Sequence, residues 1–112
     1  MRDDRLYLIH IGECIARIEA YTAEGKAAFL SDGKTQDAVI RKLQVLAEST
    51  QRLSGELKAG HPEVNWRGMA AFRNVVVHGY LGIDLERIWD IVERDLPRLR
   101  AQVSAMLEAE GE

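Results

Sequence analysis

The sequence predicts an all-α protein, an up-and-down bundle of helices. Apolar residues recur at three- and four-residue steps over four long segments, which is the helical period. Only two prolines interrupt the chain. The three valines at 75–77 have no second strand to pair with, and an isolated strand is not stable, so they are predicted to be helical. The length of 112 residues fits one domain spanning residues 1–112.

The first helix is predicted from about Asp3 to Thr22, because an apolar stripe runs through that segment. Asp3 or Asp4 is the expected N-cap, since a short carboxylate can accept from the free N–H groups of a first turn. The stripe consists of Leu8, Ile11, Ile15 and Ile18.

The second helix is predicted from about Gln36 to Lys58, with Thr35 or Asp37 as its N-cap. Its stripe has near-heptad spacing, which suits packing along another helix. The stripe consists of Val39, Leu43, Leu46, Leu53 and Leu57, with Thr50 in the one polar gap.

The third helix is expected after His61-Pro62 and is predicted to end in the segment FRNVVVH, with Gly79 as a left-handed C-cap. β-Branched residues cost only tenths of a kcal/mol each in a helix, so burial can outweigh that cost. The residues predicted to lie on one face of this helix are Trp66, Met69, Ala70, Arg73 and Val77.

The fourth helix is predicted to start at Asp84 as its N-cap, with Glu86 in the first turn, where the helix dipole favours an anion. Pro97 lies inside the apolar pattern. It is expected to kink the helix or to restart it with Asp95 as a new cap. The pattern consists of Leu85, Ile88, Val92, Leu96, Leu99, Val103 and Met106.

The composition of the chain indicates in which cellular compartment the protein is expected. No apolar run is long enough to cross a bilayer, and the N-terminus lacks the apolar core of a signal peptide. Cys14 is the only cysteine, which excludes an intrachain disulfide. A cytoplasmic protein with no membrane contact is therefore expected. The formal net charge of −3 means that any phosphate-binding surface must be a local patch.

Polar residues surround the valines and supply the parts of a metal-free site for cleaving a phosphodiester that carries a neighbouring 2′-hydroxyl. Arg73 offers a planar charged fork for a phosphate. His78 can exchange a proton near neutral pH, and Asn74, one turn earlier, can orient its imidazole. Arg73 and His78 are about 140° apart on an ideal helix, so they converge only if the helix end unwinds or if two chains share one cleft.

A purely structural interpretation of the same residues stands beside this one. His78 gains from the dipole of a last helical turn, Arg73 is a surface or ion-paired residue, and Tyr80 is a core aromatic with its hydroxyl at the surface.

Other polar residues give weaker indications of a metal-binding or phosphate-binding site. His10, Glu13 and Cys14 are spaced to hold a metal on one helix face, but there is no second ligand set, and a partly buried seam is the preferred interpretation. There is no glycine-rich phosphate loop, so the chain is not expected to bind ATP by itself. Arg41 and Arg52 extend a phosphate track only if they border the cleft.

The motif Arg-x-x-x-x-His-x-Tyr, with Asn74 directly after Arg73, resembles that of HEPN-domain proteins, in particular the HepT-like toxins. The resemblance covers nearly the full chain. Besides residues 73–80, it includes Asp4-Arg5-Leu6, Arg17-Ile18-Glu19, Tyr21-Thr22, residues 35–39, residues 61–67, and Trp89 through Pro97.

The resemblance implies an all-α homodimer that acts as a metal-independent ribonuclease toxin, with tRNA one type of target and no DNA substrate or cofactor. Arg73 and His78 would be the catalytic pair, and Asn74 would support them. The partner would be a nucleotidyltransferase antitoxin, MntA-like, that transfers AMP from ATP to Tyr80. Bulk and negative charge two residues from His78 would repel an RNA phosphate.

An alternative function of another class remains open. The chain is then a non-catalytic helical subunit that docks a nucleotidyltransferase and binds a nucleotide or phosphate through Arg73 and His78. Loss of RNA cleavage on His78→Ala separates the two functions.

Overall fold

A computed structural model describes residues 2–77 and 84–111 of the chain, which are helices and short connections with no strand among them. Seven α-helices and one π-helical turn follow one another. They are α1 (Arg2–Tyr21), α2 (Lys26–Ser31), α3 (Gly33–Arg52), α4 (Gly55–Gly60), α5 (Trp66–Val77), α6 (Leu85–Asp90), the π-helical turn (Ile91–Asp95) and α7 (Leu96–Gly111). The predicted all-α class is confirmed. None of the helices in the described ranges has the length and hydropathy needed to span a bilayer.

The core lies where α1 packs on α3 and α7, and α3 in turn packs on α5. The stripes predicted for the first, second and fourth helices fill it, because their residues are buried or nearly so. Phe29 on α2 joins this core against Trp89 of α6, with ring centroids 5.6 Å apart. Trp89 is itself 8% exposed, so it belongs to the core.

The start of α1 differs from the prediction. The helix already includes Arg2, so Asp3 and Asp4 lie inside its first turn instead of before it. Asp4 is only 3% exposed. Its carboxylate accepts from the backbone N–H of Ser54 at 2.8 Å and from the Ser54 hydroxyl at 2.6 Å. Asp4 therefore ties the start of α1 to the connection between α3 and α4.

The second predicted helix is two helices. It begins earlier, at Gly33, because Asp32 is its N-cap and accepts from Lys34 N at 3.1 Å; Thr35 and Asp37 are not the caps. The helix ends at Arg52, and Ser54 caps α4 by accepting from Leu57 N at 3.0 Å. The apolar stripe continues across the break, which is why periodicity alone did not show it.

The helix α2 was not predicted either. Its N-cap is Gly25, which has a φ of 98°, a backbone conformation that residues with a Cβ rarely adopt. The six-residue helix is too short for its period to stand out in the sequence.

The valines at 75–77 are helical, as predicted, because α5 extends to Val77. Its buried face is shifted from the one expected. Met69 and Phe72 are buried, whereas Ala70 is exposed. The predicted C-cap, Gly79, lies outside the described residues.

The cap of α6 is confirmed, since Asp84 accepts from Arg87 N at 3.2 Å. A restart capped by Asp95 is wrong, because Asp95 lies within the π-helical turn. There the N–H of Leu96 donates to Ile91 O, five residues back. Pro97 has no N–H to donate and its ring crowds the preceding turn, so a wider turn before it lets the chain remain helical.

Candidate active site and the cleft beside it

The described residues of the predicted motif, Arg73 and Asn74, fall near the C-terminal end of α5. Arg73 and Asn74 lie on the helix backbone, four and three residues before its last described residue, Val77. His78 and Tyr80 lie outside the described residues. The α5 backbone is helical throughout 73–77, so the unwinding considered for bringing Arg73 toward His78 does not begin within that segment.

The N-terminal end of α5 is fixed by side chains of the preceding loop. Asn65 Oδ1 accepts from Gly68 N at 2.9 Å, which caps the first turn. Trp66 is partly buried, and its Nε1 donates to His61 O at 3.0 Å. These contacts set the position of the helix that carries the motif.

A cleft of about 280 Å³ lies between α5, α6 and α7, beside the loop that precedes α5. Its floor is apolar and consists of Met69, Phe72 and Leu99, each 5% exposed or less. Its other lining residues are Gly68 and six polar or charged ones, Glu63, Asn65, Arg87, Asp95, Arg98 and Gln102.

Polar contacts hold one wall of the cleft. Gln102 Nε2 on α7 donates to Glu63 O at 3.3 Å, which ties the loop to that helix. The Glu63 carboxylate lies 3.1 Å from His61 Nδ1. Its own backbone N–H and then His61 hold the pKa of Glu63 below its ordinary value. Glu63 therefore stays charged and engaged with His61 at neutral pH.

The two arginines of the cleft differ from others nearby. Within the described part of the chain, the guanidinium groups of Arg87 and Arg98 form no ion pair. By contrast, Arg94 Nε lies 3.7 Å from Asp90 Oδ1, and Arg100 Nη1 lies 3.2 Å from Glu19 Oε2.

The sequence did not single out the cleft arginines as site residues. Arg87 and Arg98 are eleven residues apart, about 20° around an ideal helix, but only the fold shows that α5 and the loop before it lie beside them. Arg41 and Arg52, which were considered for a phosphate track, do not line this cleft.

The second candidate cluster, His10, Glu13 and Cys14, is divided between the surface and the core. His10 Nδ1 lies 3.7 Å from Glu13 Oε1 on the exposed side of α1, whereas Cys14 is buried. Burial raises the pKa of the Cys14 thiol, with a smaller opposing effect from Lys42. No three potential metal-ligating side chains converge anywhere in residues 2–77 and 84–111. The burial of Cys14 beside exposed His10 and Glu13 agrees with the preferred interpretation of a partly buried seam.

A helical bundle with an Arg-x4-His-x-Tyr motif in its sequence, beginning near the end of one helix, is typical of small HEPN-type proteins. The chain belongs to the HepT-like ribonuclease family, whose model matches residues 11–106.

Relatives extend over nearly the whole chain. It is 39% identical over 102 residues to a probable ribonuclease HepT of Thermococcus cleftensis, covering 90% of this chain and 93% of that protein. It is 37% identical over 113 residues to a candidate RNase of Methanocaldococcus jannaschii, covering 99% and 93%.

A third relative, also from M. jannaschii, has a name that joins gamma-glutamylcyclotransferase to a candidate RNase. The identity is 32% over 108 residues, or 96% of this chain, and the match spans about half (49%) of that relative. No solved structure matches the chain significantly.

Proposed function

We propose that this protein is a metal-independent ribonuclease toxin whose active site combines Arg73 and His78 across a homodimer. The observation that carries the proposal is the Arg-x4-His-x-Tyr motif, which begins at Arg73 near the end of α5, in a chain of the HepT-like ribonuclease family. RNA is the substrate class, in keeping with the names of the relatives.

The chemistry assigns one task to each residue. His78 takes the proton of the 2′-hydroxyl, whose oxygen then attacks the neighbouring phosphorus and forms a 2′,3′-cyclic phosphate. The bond from phosphorus to the 5′-oxygen of the next nucleotide breaks, and that oxygen leaves as a hydroxyl with a proton from water. Arg73 binds the phosphate and offsets the charge that grows on it. Asn74 orients the imidazole of His78.

The helical backbone of residues 73–77 supports a site shared by two chains. Five positions separate Arg73 from His78, which corresponds to about 140° around a helix. Because α5 stays helical to Val77, we infer that the histidine that acts together with Arg73 is His78 of a second chain.

Cleavage of RNA in EDTA tests the catalytic pair. We expect the wild type to cleave and His78→Ala to lose at least about 100-fold in rate, the usual contribution of general acid–base catalysis. His10→Ala is the matched control, because His10 is an exposed histidine on α1, outside the motif. Equal rates for the wild type and His78→Ala would refute the assignment. An unmodified wild type that binds nucleotide but cleaves no RNA would favour the non-catalytic subunit.

Mixing two inactive variants tests the shared site. If Arg73 and His78 act across the dimer, a heterodimer of Arg73→Ala and His78→Ala chains keeps one intact site. Random mixing should then restore about one quarter of wild-type activity. If each chain carried its own complete site, the mixture would stay inactive.

The same proposal assigns regulation to Tyr80. A nucleotidyltransferase antitoxin transfers AMP from ATP to the Tyr80 oxygen, forming an O–P bond and releasing pyrophosphate. The added charge beside His78 repels the RNA phosphate. With such a partner and ATP present, the wild type should gain the mass of AMP and lose activity. Tyr80→Phe should do neither, and modification of Tyr80→Phe to the same extent would refute the assignment.

A further inference from the structure

We propose that the cleft between α5 and α7 binds one nucleotide of the RNA strand next to the bond that is cut, with Arg87 and Arg98 on its phosphate. This inference rests on the proposed ribonuclease function and extends it, because the cleft lies outside the Arg-x4-His-x-Tyr motif.

The position of the cleft links it to the motif. Met69 and Phe72 form part of its floor and belong to α5, the helix that carries Arg73. Residue 73 follows Met69 by four positions, so its backbone lies about 6 Å further along the helix axis. A strand whose cleaved phosphate reaches Arg73 would have a neighbouring nucleotide at the cleft.

The charge in the cleft fits a phosphate contact. Arg87 and Arg98 are exposed and free of ion pairs with described residues, so binding a phosphate breaks no such ion pair. The guanidinium fork also suits the oxygens of a phosphodiester. The two arginines come from α6 and α7, on either side of the π-helical turn, and such turns are frequent at functional sites.

The rest of the lining fits a nucleobase. Three apolar side chains form the floor, while the amides of Asn65 and Gln102 lie on the lining. Amides and carboxylates can recognise the edges of bases, and Asp95 can accept from an exocyclic amine. The volume of about 280 Å³ is close to the lower end of small-molecule sites, about 300 Å³, which suits one nucleotide and not a longer stretch.

The two carboxylates of the cleft restrict how a strand can lie. Glu63 is engaged by His61, and Asp95 ends the π-helical turn. Both would repel a phosphate placed beside them. The phosphate therefore belongs on the arginines, and the base belongs over the floor.

RNA binding by an inactive chain tests the cleft separately from catalysis. A labelled single-stranded RNA of mixed sequence is titrated with His78→Ala protein, and fluorescence anisotropy gives Kd at several salt concentrations. Adding Arg98→Ala should weaken binding about tenfold, as expected for a lost charge-assisted contact. The slope of log affinity against log salt should fall in magnitude by about 0.7. Arg87→Ala should act in the same direction.

Arg100→Ala, added to the same His78→Ala protein, is the matched control. Arg100 lies two residues beyond Arg98 on α7, carries the same charge and is paired with Glu19. We expect less than a twofold change in Kd. Equal losses for Arg98→Ala and Arg100→Ala, or no loss for either, would overturn the inference, provided that circular dichroism shows all variants folded.

Kinetics separate failure of this inference from failure of the proposed ribonuclease. In the otherwise wild-type protein, Arg98→Ala should raise KM with little change in kcat, as expected for a contact that binds without reacting. If the wild type cleaves RNA but Arg98→Ala leaves KM and Kd unchanged, the proposed nucleotide site in the cleft is refuted, whereas the proposed ribonuclease function is not. RNA binding that depends on Arg98 in a protein without cleavage would support the cleft alone. If the binding of free AMP depends on Arg98 but the binding of RNA does not, the cleft is not an RNA site.

Discussion

The Asp4–Ser54 contact and the cleft between α5 and α7 are two polar regions in the same helical bundle, and they differ in where their polar groups find partners. Asp4 is buried, and its carboxylate accepts two short hydrogen bonds from Ser54. In the cleft, Arg87 and Arg98 are exposed and form no ion pair with described residues.

The difference separates a structural contact from a surface that can take a ligand. Removing the buried partner of a hydrogen bond leaves the other group without its acceptor or donor, which destabilises the fold. Removing an exposed, unpaired side chain costs the fold little, so any large effect must appear in binding.

The largest stability effect is expected for Asp4→Ala. It leaves the N–H and hydroxyl of Ser54 without their acceptor and should lower the free energy of unfolding by about 2–3 kcal/mol. Asp3→Ala removes the same charge from the exposed neighbouring position and should cost less than about 0.5 kcal/mol. Urea unfolding of both variants measures the difference. Equal losses would show that the Asp4–Ser54 contact is not structural.

A smaller effect on stability is expected when Asp32 is replaced, because this aspartate, unlike Asp4, is exposed. The Thr35 hydroxyl, followed by the N–H of Lys34, holds the pKa of this carboxyl below its ordinary value of 3.8. A depressed folded-state pKa adds stability above the unfolded pKa, and that stability is lost as the pH falls through the folded-state pKa.

The measurement at Asp32 compares the wild type with Asp32→Asn, which keeps an oxygen acceptor without the charge. Urea unfolding from about pH 6 down to about pH 2.5 should show the advantage of the wild type shrinking below about pH 4. An advantage that stays constant over that range would contradict the contribution of the ionised cap.

Arg100→Ala should have a still smaller effect on stability. Its ion pair with Glu19 is largely solvent-exposed, so the loss should be below about 1 kcal/mol. Since salt screens such pairs, the difference from the wild type should shrink in about 1 M NaCl. Thermal unfolding at low and high salt measures it, and a loss that persists unchanged at high salt would point to packing by the arginine stem instead.

The smallest stability effect is expected for Arg98→Ala, within about 0.5 kcal/mol of the wild type, because no ion pair with a described residue is lost. A loss as large as that of Asp4→Ala would remove the contrast between the two regions. It would also make any change in RNA affinity a consequence of unfolding.

Much of the fold could be predicted from the sequence, since the buried stripes of α1, α3 and α7 follow the helical period. The cap at Asp84 was also predictable from local chemistry. The break at Leu53–Ser54 was not, because the apolar period continues across it. The partner that Ser54 finds there, Asp4, is 50 residues away in sequence.

The candidate site divides in the same way. Sequence alone determined the motif Arg73, Asn74, His78 and Tyr80, because a motif consists of residue types at fixed spacing. Sequence also determined that the valines continue a helix. Tertiary structure decided that Arg87 and Arg98 line one cleft beside α5. Their spacing of eleven residues is close to three helical turns, so it places them near one face of an ideal helix. Only the tertiary structure puts α5 and the loop before it beside them to form a cleft.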